Sequence, residues 1–274
     1  MKLYKTTQGI IIEASKKFYL SNAKNWDDYI NQDNLFEVLS NDIQLLNEIS
    51  WNYEEILAPI ENQEIWASGV TYMRSREARM DESKDSGGAD FYAKVYEAER
   101  PELFFKSTAT RCVGTGEKVR IRKDSKWNVP EPELTLFITT SGKIVGYTIG
   151  NDMSSRDIEG ENPLYLPQAK SYDKAAAIGP CIYVPKEEIS LDTQISIDIL
   201  RGGNSMFSGN IAINRIKRKL TDLAYYLFRE MSFPNGAFLM TGTGIVPDND
   251  FTLLSGDVVN ITIEGIGTLS NEVE

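Results

Sequence analysis

Two glutamates separated by one residue are the first side chains in this sequence whose types and spacing could do chemistry. Glu131 and Glu133 lie in the segment Asn-Val-Pro-Glu-Pro-Glu-Leu, directly before an apolar run. If this segment is extended, both carboxylates project from the same face of a strand, because side chains alternate between faces. Neighbouring carboxylates repel each other, and a divalent cation between them removes that repulsion. The pair therefore indicates a metal site, although a solvated Glu-x-Glu pair would have the same sequence.

A third carboxylate, Asp152, ends the next apolar run along the chain. The two runs are joined by a short turn at Ser141 and Gly142, so we expect them to form a β-hairpin. In an antiparallel hairpin the beginning of one arm lies beside the end of the other, which brings Asp152 to the glutamate pair. The hairpin thus predicts three converging oxygen ligands for a hard cation. The alternative is that Asp152 is an ordinary turn residue or a helix N-cap.

Two later segments could bind or activate a substrate. Lys170 follows the segment Asn-Pro-Leu-Tyr-Leu-Pro-Gln-Ala. A lysine near a metal-bound substrate could act as a base, because like charges disfavour its protonated form. The Thr-Gly-Thr segment at residues 241–243 offers hydroxyls and turn amides to a carboxylate. Both patterns are also common without a function, since most lysines are solvated and glycine-rich turns often follow strands.

The sequence of 274 residues contains no histidine and only two cysteines, Cys112 and Cys181. This composition excludes Ser-His-Asp and Cys-His machinery and imidazole metal ligands, and it argues against a zinc site. Any metal must be held by oxygen ligands, which favours Mg²⁺, with Ca²⁺ or Mn²⁺ as alternatives. Acid–base chemistry then falls to Asp, Glu, Lys, Tyr, Cys or water.

The net charge of −11 restricts the partners of the protein. Nucleic acids and anionic membranes both reward basic patches, so we expect neither as a partner. No stretch approaches the roughly 18 apolar residues of a membrane span, and we expect no secretory leader. Two cysteines are too few for a disulfide framework. We therefore expect a cytoplasmic protein whose partner is a small molecule.

Hydrophobic periodicity predicts a small N-terminal domain, residues 1–60, and a larger catalytic domain, residues 61–274. The first contains a short strand at residues 9–13 and an amphipathic helix over residues 33–49. In the second, one long helix over residues 214–231 interrupts the strands. Strands dominate without regular β-α alternation, which predicts an α+β fold. The strands expected in the second domain are residues 65–70, 103–106, 119–122, 134–140, 143–151, 181–184, 194–201, 238–242 and 258–264.

Residues 72–100 form a polar, mostly helix-forming segment with a break at Gly87 and Gly88. A segment of this kind beside a site could close over it as a lid. A solvated helix and loop would have the same composition, so the sequence leaves both interpretations open.

In this order and at these separations, the four chemical segments resemble the fumarylacetoacetate hydrolase superfamily. The superfamily pattern combines a Glu-x-Glu strand, a hairpin, an Asn-Asp-x-Ser-x-Arg-Asp turn, a later lysine and a late Thr-Gly-Thr. The resemblance begins near residue 65 and implies a β-rich fumarylacetoacetate-hydrolase-like domain, a homodimer or dimer-based oligomer, and Mg²⁺ or Ca²⁺ as the metal. The metal ligands that it implies are Glu131, Glu133 and Asp152, and its other matches are residues 151–157, Lys170 and residues 241–243.

Within the superfamily, three segments resemble a branch of lyases that dehydrate 2-keto-3-deoxypentonates to 2,5-dioxopentanoate in carbohydrate catabolism. These segments are residues 100–106, 129–134 and 161–168. Many hydrolases and decarboxylases of the superfamily carry a histidine in the lid region, where this chain has Gly-Val-Thr-Tyr at residues 69–72 and then Met-Arg-Ser-Arg-Glu. The missing histidine puts C–C hydrolysis in doubt and agrees with a dehydratase.

The resemblance also implies roles for individual residues on a small 2-keto acid. Lys170 is the candidate base for the C3 proton, and Glu102 is the candidate acid for the departing C4 hydroxyl. The two roles could be exchanged, since sequence fixes neither geometry nor pKa. The candidate substrate-binding residues are Tyr72, Lys106, Gln168 and Thr243.

Two alternatives stay open. The chain could be another enzyme of the superfamily, such as a fumarylpyruvate-type hydrolase or an oxaloacetate decarboxylase, although the absent histidine argues against this. It could also be a catalytically silent module that keeps the fold and binds a sugar acid. Against such decay, the sequence retains Glu131, Glu133, Asp152 and Lys170.

Overall fold

The computed structural model describes residues 1–82 and 89–274, so the break predicted at Gly87 and Gly88 lies outside the described residues. Among the described helices, none is both long and apolar enough to span a bilayer. The helices are α1 (Trp26–Ile30), α2 (Leu35–Leu45), α3 (Met73–Glu82), α4 (Ala89–Glu97), α5 (Arg156–Glu161), α6 (Leu166–Lys170) and α7 (Leu220–Phe228). The strands are β1 (Lys2–Thr6), β2 (Gly9–Ala14), β3 (Lys17–Leu20), β4 (Glu48–Ile49), β5 (Glu64–Gly69), β6 (Glu102–Thr108), β7 (Cys112–Val113), β8 (Lys118–Val119), β9 (Asn128–Val129), β10 (Pro132–Ile138), β11 (Ile144–Asp152), β12 (Ser154–Ser155), β13 (Ala176–Tyr183), β14 (Gln194–Arg201), β15 (Asn204–Ala212), β16 (Ala237–Met240), β17 (Val258–Ile263) and β18 (Gly267–Val273).

An eleven-stranded sheet forms the centre of the molecule, in the order β4-β3-β2-β1-β13-β11-β10-β16-β5-β6, with β7 paired to β13. Strand β10 is buried along its whole length because both faces of the sheet are covered. Leu134, Leu136 and Ile138 belong to one apolar core, whereas Phe137 belongs to the core on the opposite face. The alternation predicted from the sequence is therefore present, and it leaves Glu133 on the face of Phe137.

The two faces of this sheet are covered by different elements. A five-stranded sheet, in the order β15-β14-β17-β18-β8, packs on the face of Leu134, where its alternating residues such as Ile197 and Ile261 are buried. On the other face, Trp26 of α1 and Leu39 of α2 pack in the same core as Phe137. Strands dominate and helices are few, which confirms the predicted α+β class.

The N-terminal residues are continuous with the central sheet. Strand β1 pairs antiparallel with β13, so that β1 to β4 extend the sheet outward. Ile60 and Trp26 share a core with Phe238 of β16. A division of the chain at residue 60 stays a prediction.

The prediction of one long helix over residues 214–231 was wrong in length. Helix α7 spans only Leu220–Phe228. The preceding residues use their backbone amides outside a helix. Asn214 N–H donates to the carbonyl of Leu191 at 2.6 Å, and Lys217 N–H donates to the carbonyl of Thr71 at 2.9 Å. These long-range bonds fix the segment in front of α7 and shorten the helix.

Three other elements differ from their predicted bounds. The helix expected over residues 33–49 ends at Leu45, and Ile49 pairs with Phe18 in a short strand instead. The strand expected at 119–122 stops at Val119, because Arg120 N–H turns away to the carbonyl of Lys174. The strand expected at 181–184 begins at residue 176, within an alanine-rich run that carries no strand signal.

Candidate active site

The hairpin of β10 and β11 brings three buried carboxylates together. In its antiparallel register Glu133 is opposite Gly150, and Asp152 N–H donates to the carbonyl of Glu131 at 3.0 Å. One carboxylate oxygen of each of Glu131, Glu133 and Asp152 lies within 4.8 Å of the others. The side chains converge as the hairpin argument predicts, and their role as metal ligands stays a prediction.

The cationic side chains of Lys170 and Arg156 contact this group of three carboxylates. Lys170, at the end of α6, is fully buried, and its Nζ donates to Glu131 Oε2 at 2.6 Å, Asp152 Oδ2 at 3.2 Å and Ser154 Oγ at 2.6 Å. Arg156, the first residue of α5, donates from Nη2 to Glu131 Oε1 at 2.5 Å. The predicted base therefore lies within hydrogen-bond distance of two predicted metal ligands.

The two glutamates have opposite pKa shifts. Burial and the charges of Asp152 and Glu131 raise the pKa of Glu133 well above its usual range, although Gly242 N–H donates to Oε2 at 2.5 Å. Burial also opposes the ionisation of Glu131, but Lys170 and the nearby arginines outweigh it and lower that pKa. Three carboxylates in this space repel one another, and a divalent cation would relieve the repulsion. The oxygen-only donor set fits Mg²⁺, Ca²⁺ or Mn²⁺.

Lys106, a predicted substrate-binding residue, lies behind Asp152. Its buried Nζ is 2.5 Å from Asp152 Oδ1 and donates to the carbonyls of Met153 at 2.9 Å and Lys170 at 2.5 Å. Burial lowers the pKa of this ammonium, which the carboxylate of Asp152 opposes. Two donors of the ammonium bind backbone carbonyls, and its charge forms an ion pair with Asp152. In this arrangement Lys106 orients Asp152.

The carboxylates line a narrow cleft with an empty volume of about 280 Å³. Its other walls come from the end of β5 (Ser68, Gly69), from α3 (Ser75, Arg79) and from Thr243 after β16. Helix α3, part of the predicted lid segment, thus forms one wall of the site.

The other predicted site residues differ in whether they line this cleft and in how buried they are. Thr243 lines it, whereas Tyr72, Glu102 and Gln168 are not among the described lining residues. Tyr72 is buried, and burial together with the charge of Glu133 raises its pKa. Glu102 pairs with the wall residue Gly69 in the β5–β6 register, and its Oε2 is buried without a hydrogen-bond partner among the described residues. Gln168 is exposed, so its predicted role has the least geometric support.

The structure adds residues to which the sequence analysis gave no role. Ser154 binds Lys170, Arg156 binds Glu131, and Arg79 forms a buried ion pair with Glu159 of α5. Arg156 belongs to the quoted Asn-Asp-x-Ser-x-Arg-Asp turn, which was a signal that could have found it. For Arg79 and Glu159 the sequence offers no comparable signal, since a charged residue in a polar segment is normally solvated.

Comparison with known families shows where the chain belongs. The family described as "Fumarylacetoacetate (FAA) hydrolase C-terminal" matches residues 65–274. The chain belongs to the fumarylacetoacetate hydrolase family. The match covers the carboxylates, Lys170 and the Thr-Gly-Thr segment, and it leaves the N-terminal strands and helices outside.

Two curated proteins are similar to this chain over most of its length. A probable 2-keto-3-deoxyxylonate dehydratase of Haloferax volcanii is 48% identical over 216 residues, which is 78% of this chain and 73% of the relative. A 2-dehydro-3-deoxy-D-arabinonate dehydratase of Saccharolobus solfataricus is 46% identical over 235 residues, or 84% and 78%. Both similarities extend beyond a shared catalytic motif.

A solved structure is also similar over the whole chain. This is a 2-keto-3-deoxy-D-arabinonate dehydratase complexed with magnesium and 2,5-dioxopentanoate, with a TM-score of 0.86 and 35% sequence identity. The superposition covers 100% of this chain and 99% of that one. The fumarylacetoacetate-hydrolase-like architecture expected from about residue 65 onward is thereby confirmed, and the superposition also includes the N-terminal residues.

Proposed function

We propose that this protein is a Mg²⁺-dependent lyase that dehydrates a 2-keto-3-deoxypentonate to 2,5-dioxopentanoate, a step of pentose degradation. The observation that carries the proposal is the placement of the buried Lys170 ammonium within hydrogen-bond distance of Glu131 and Asp152, two carboxylates of the group of three. This combination gives one small cleft both a cation site and a proton-transfer group. Support comes from two relatives named as dehydratases of such acids and from the magnesium and 2,5-dioxopentanoate in the solved structure.

Glu131, Glu133 and Asp152 would hold the Mg²⁺ ion. When bound, the ion supplies Lewis-acid stabilisation of the negative charge that develops on a 2-keto acid. Gly242 N–H fixes one oxygen of Glu133, and Lys106 fixes one oxygen of Asp152. The chain thus holds its carboxylates in place through neighbouring groups. In metal sites, residues that bind the metal ligands in this way keep the ligands oriented.

Proton transfer falls to Lys170 and Glu102 in this proposal. As a neutral amine, Lys170 Nζ takes a proton from C3 of the substrate and becomes the ammonium, and the carboxyl of Glu102 donates a proton to the C4 hydroxyl, which leaves as water. The unpartnered Oε2 of Glu102 beside the wall residue Gly69 supports this assignment. Loss of water leaves an unsaturated ketone with a C3=C4 double bond. A proton shift from C5 to C3 converts it to a C4=C5 enol, and transfer of the enol hydroxyl proton to C4 gives the aldehyde. The two residues could exchange roles without changing the overall reaction.

The substrate contacts are proposed from position. Thr243 is proposed because it lines the cleft, where its hydroxyl donates to the carbonyl of Ile245 at 3.2 Å in the absence of substrate. The buried hydroxyl of Tyr72 has no hydrogen-bond partner among the described residues. Lys106 and Gln168 would need a rearrangement to touch the substrate, because Lys106 is bound to protein oxygens and Gln168 is exposed.

A turnover assay with 2-keto-3-deoxypentonate tests the proposal. We expect formation of 2,5-dioxopentanoate, its loss on addition of a chelator, and its recovery on addition of Mg²⁺. The Glu133→Gln variant should keep the fold, lose Mg²⁺ binding and lose nearly all turnover. Glu272→Gln, which changes an exposed glutamate of β18, serves as the matched control. A Glu133→Gln variant that dehydrates the substrate normally would show that the metal assignment is wrong.

The same assay separates the alternatives. A fumarylpyruvate-type hydrolase would release pyruvate, and an oxaloacetate decarboxylase would release carbon dioxide from its own substrate. A silent sugar-acid-binding module would bind the pentonate in calorimetry without turnover. Aldehyde formation at a rate that depends on Mg²⁺ supports dehydration against all three.

We also propose a cytoplasmic homodimer. Both cysteines are free thiols, as expected in a reducing compartment, and a dimer follows from the family resemblance of the sequence. Light scattering of the purified protein measures the oligomer, and a mass of one chain would contradict the dimer.

A further inference from the structure

A fourth buried carboxylate, Glu159 of α5, lies behind the group of three. It is not part of the set whose oxygens could share a metal ion among the described residues. Its Oε1 forms an ion pair with Arg79 of α3 and lies 4.0 Å from Lys170 Nζ, and its Oε2 lies 3.9 Å from Arg156 Nη1. A carboxylate is buried so completely only when cations compensate for its lost hydration.

The charges of this buried cluster balance. When all groups are ionised, the negative charges of four carboxylates equal the positive charges of four cationic side chains. Mg²⁺ and a 2-keto acid that carries two negative charges during the reaction add equal and opposite charges, so the net charge stays at zero. Removal of Glu159 leaves an excess positive charge beside the place where a cation binds, which weakens cation binding by Coulomb repulsion. The eight residues are Glu131, Glu133, Asp152, Glu159, Lys106, Lys170, Arg79 and Arg156.

Glu159 also connects two parts of the site that are distant in sequence. Through Arg156 it is linked to Glu131, since Arg156 Nη2 is 2.5 Å from Glu131 Oε1 while its Nη1 faces Glu159. Through Arg79 it is linked to α3, which forms a wall of the cleft. One path from α3 to Glu131 therefore runs through Arg79, Glu159 and Arg156.

We infer that Glu159 is a positioning residue, which holds Arg156 against Glu131 and holds Arg79 of α3 in the wall of the cleft. The inference rests on the proposed function, because it takes Glu131 as a metal ligand. It assigns no contact between Glu159 and the substrate. If Glu159 has this role, the position of α3 and the arrangement of the metal site depend on the same side chain.

Mg²⁺ titration calorimetry without substrate is the first test. Glu159→Gln keeps the shape of the side chain but removes its charge, and we expect Mg²⁺ affinity to fall about 10–100-fold, the usual effect of losing a second-shell partner. Glu159→Asp keeps the charge and should recover part of this loss. With substrate, excess Mg²⁺ should restore much of kcat/KM in Glu159→Gln, which a purely structural defect would not allow.

Hydrogen exchange of the α3 amides is the second test. Both Glu159→Gln and Arg79→Met break the ion pair, so both should increase exchange in α3. Arg79→Met also removes a positive charge from the cluster, which favours cation binding. The Mg²⁺ affinity of Arg79→Met should therefore not fall as that of Glu159→Gln does. Arg74→Met is the matched control, because Arg74 lies on the same helix but is exposed and 3.8 Å from Asp248. It should change neither measurement.

The outcomes separate this inference from the proposed function. A wild-type chain that binds no divalent cation contradicts the proposed function. A wild-type chain that binds Mg²⁺, beside a Glu159→Gln variant with equal affinity and unchanged α3 exchange, contradicts only the role of Glu159. If Glu159→Gln does not fold, Glu159→Asp and Arg79→Met decide the question, and unchanged α3 exchange in both refutes the inference.

Discussion

Replacement of Lys106 by methionine tests how the site is built. Methionine keeps most of the length of the side chain but removes the ammonium that contacts Asp152, the carbonyl of Met153 and the carbonyl of Lys170. The variant leaves Asp152 with one fewer compensating charge in a buried position. If Lys106 orients Asp152, folding stability must fall even without substrate.

The size of the effect follows from these contacts. Each hydrogen bond to a charged group contributes about 1.5–3 kcal/mol, so the two carbonyl bonds alone contribute about 3–6 kcal/mol. The variant recovers part of this, because burial of the ammonium is unfavourable and lowers the pKa of Lys106. Loss of one partner of a buried ion pair costs about 3–5 kcal/mol, and we expect a net loss in this range. At about 2–4 °C per kcal/mol, Tm falls by roughly 6–20 °C.

Differential scanning calorimetry with and without Mg²⁺ measures the effect. Mg²⁺ should raise the Tm of Lys106→Met more than that of the wild type, because the ion replaces a charge that the variant lacks. Lys118→Met is the matched control, since Lys118 is an exposed lysine paired with Glu272, and its Tm should stay near that of the wild type. A Lys106→Met variant with wild-type Tm and a raised KM would refute this reasoning and favour substrate binding.

Three further predictions concern proton transfer, the Thr-Gly-Thr turn and acid stability. Lys170→Met should abolish exchange of substrate C3 protons with solvent, measured by NMR in D₂O, and undiminished exchange would exclude Lys170 as the base. Gly242→Ala should lower stability by at least about 1–2 kcal/mol in urea unfolding and weaken Mg²⁺ binding. Gly242 has a φ of +93°, an added Cβ would collide with the side chain of Thr71 and the carbonyl of Ser68, and the N–H of Gly242 holds Glu133. Burial opposes ionisation of Asp257, but its pairing with Arg201 holds the pKa of Asp257 below its usual range. The wild type should therefore lose stability as the pH falls from the unfolded-state pKa of about 4 through the lower folded-state pKa. Asp257→Asn should be less stable at pH 7 and change less over that range, and equal acid sensitivity of both proteins in urea unfolding would contradict this.

The hairpin and its carboxylates could be predicted because the signals are local. Two apolar runs, a Ser-Gly turn and the alternation of side chains fix which residues share a face, and the observed register places Glu133 opposite Gly150 as an antiparallel hairpin requires. Lys170 was found through the family motif. Its position in the cleft depends on α6, which the periodicity did not predict.

The rest of the site depends on contacts between distant residues. Arg79 and Glu159 are 80 positions apart, and nothing in either local pattern indicates that they pair in the interior. The failure at residues 214–231 has the same origin, since the apolar stripe of the segment is genuine but its backbone amides bind Leu191 and Thr71. The substrate-binding role of Lys106 stays a prediction, and its contacts with Asp152 and two backbone carbonyls could not be predicted because sequence does not show which oxygens a buried lysine will meet.

The alternation along β10 has a consequence for how the gene can change. Glu133 belongs to the cleft and Leu134 to the core behind the sheet, and they are consecutive residues. A one-residue deletion between Pro132 and Ile138 would move the side chains of the strand to opposite faces of the sheet. A leucine would then lie in the cleft and a carboxylate in the apolar core. Such a shift in strand register would abolish catalysis and folding together. Within this hairpin, a length change is tolerable at the turn formed by Ser141 and Gly142.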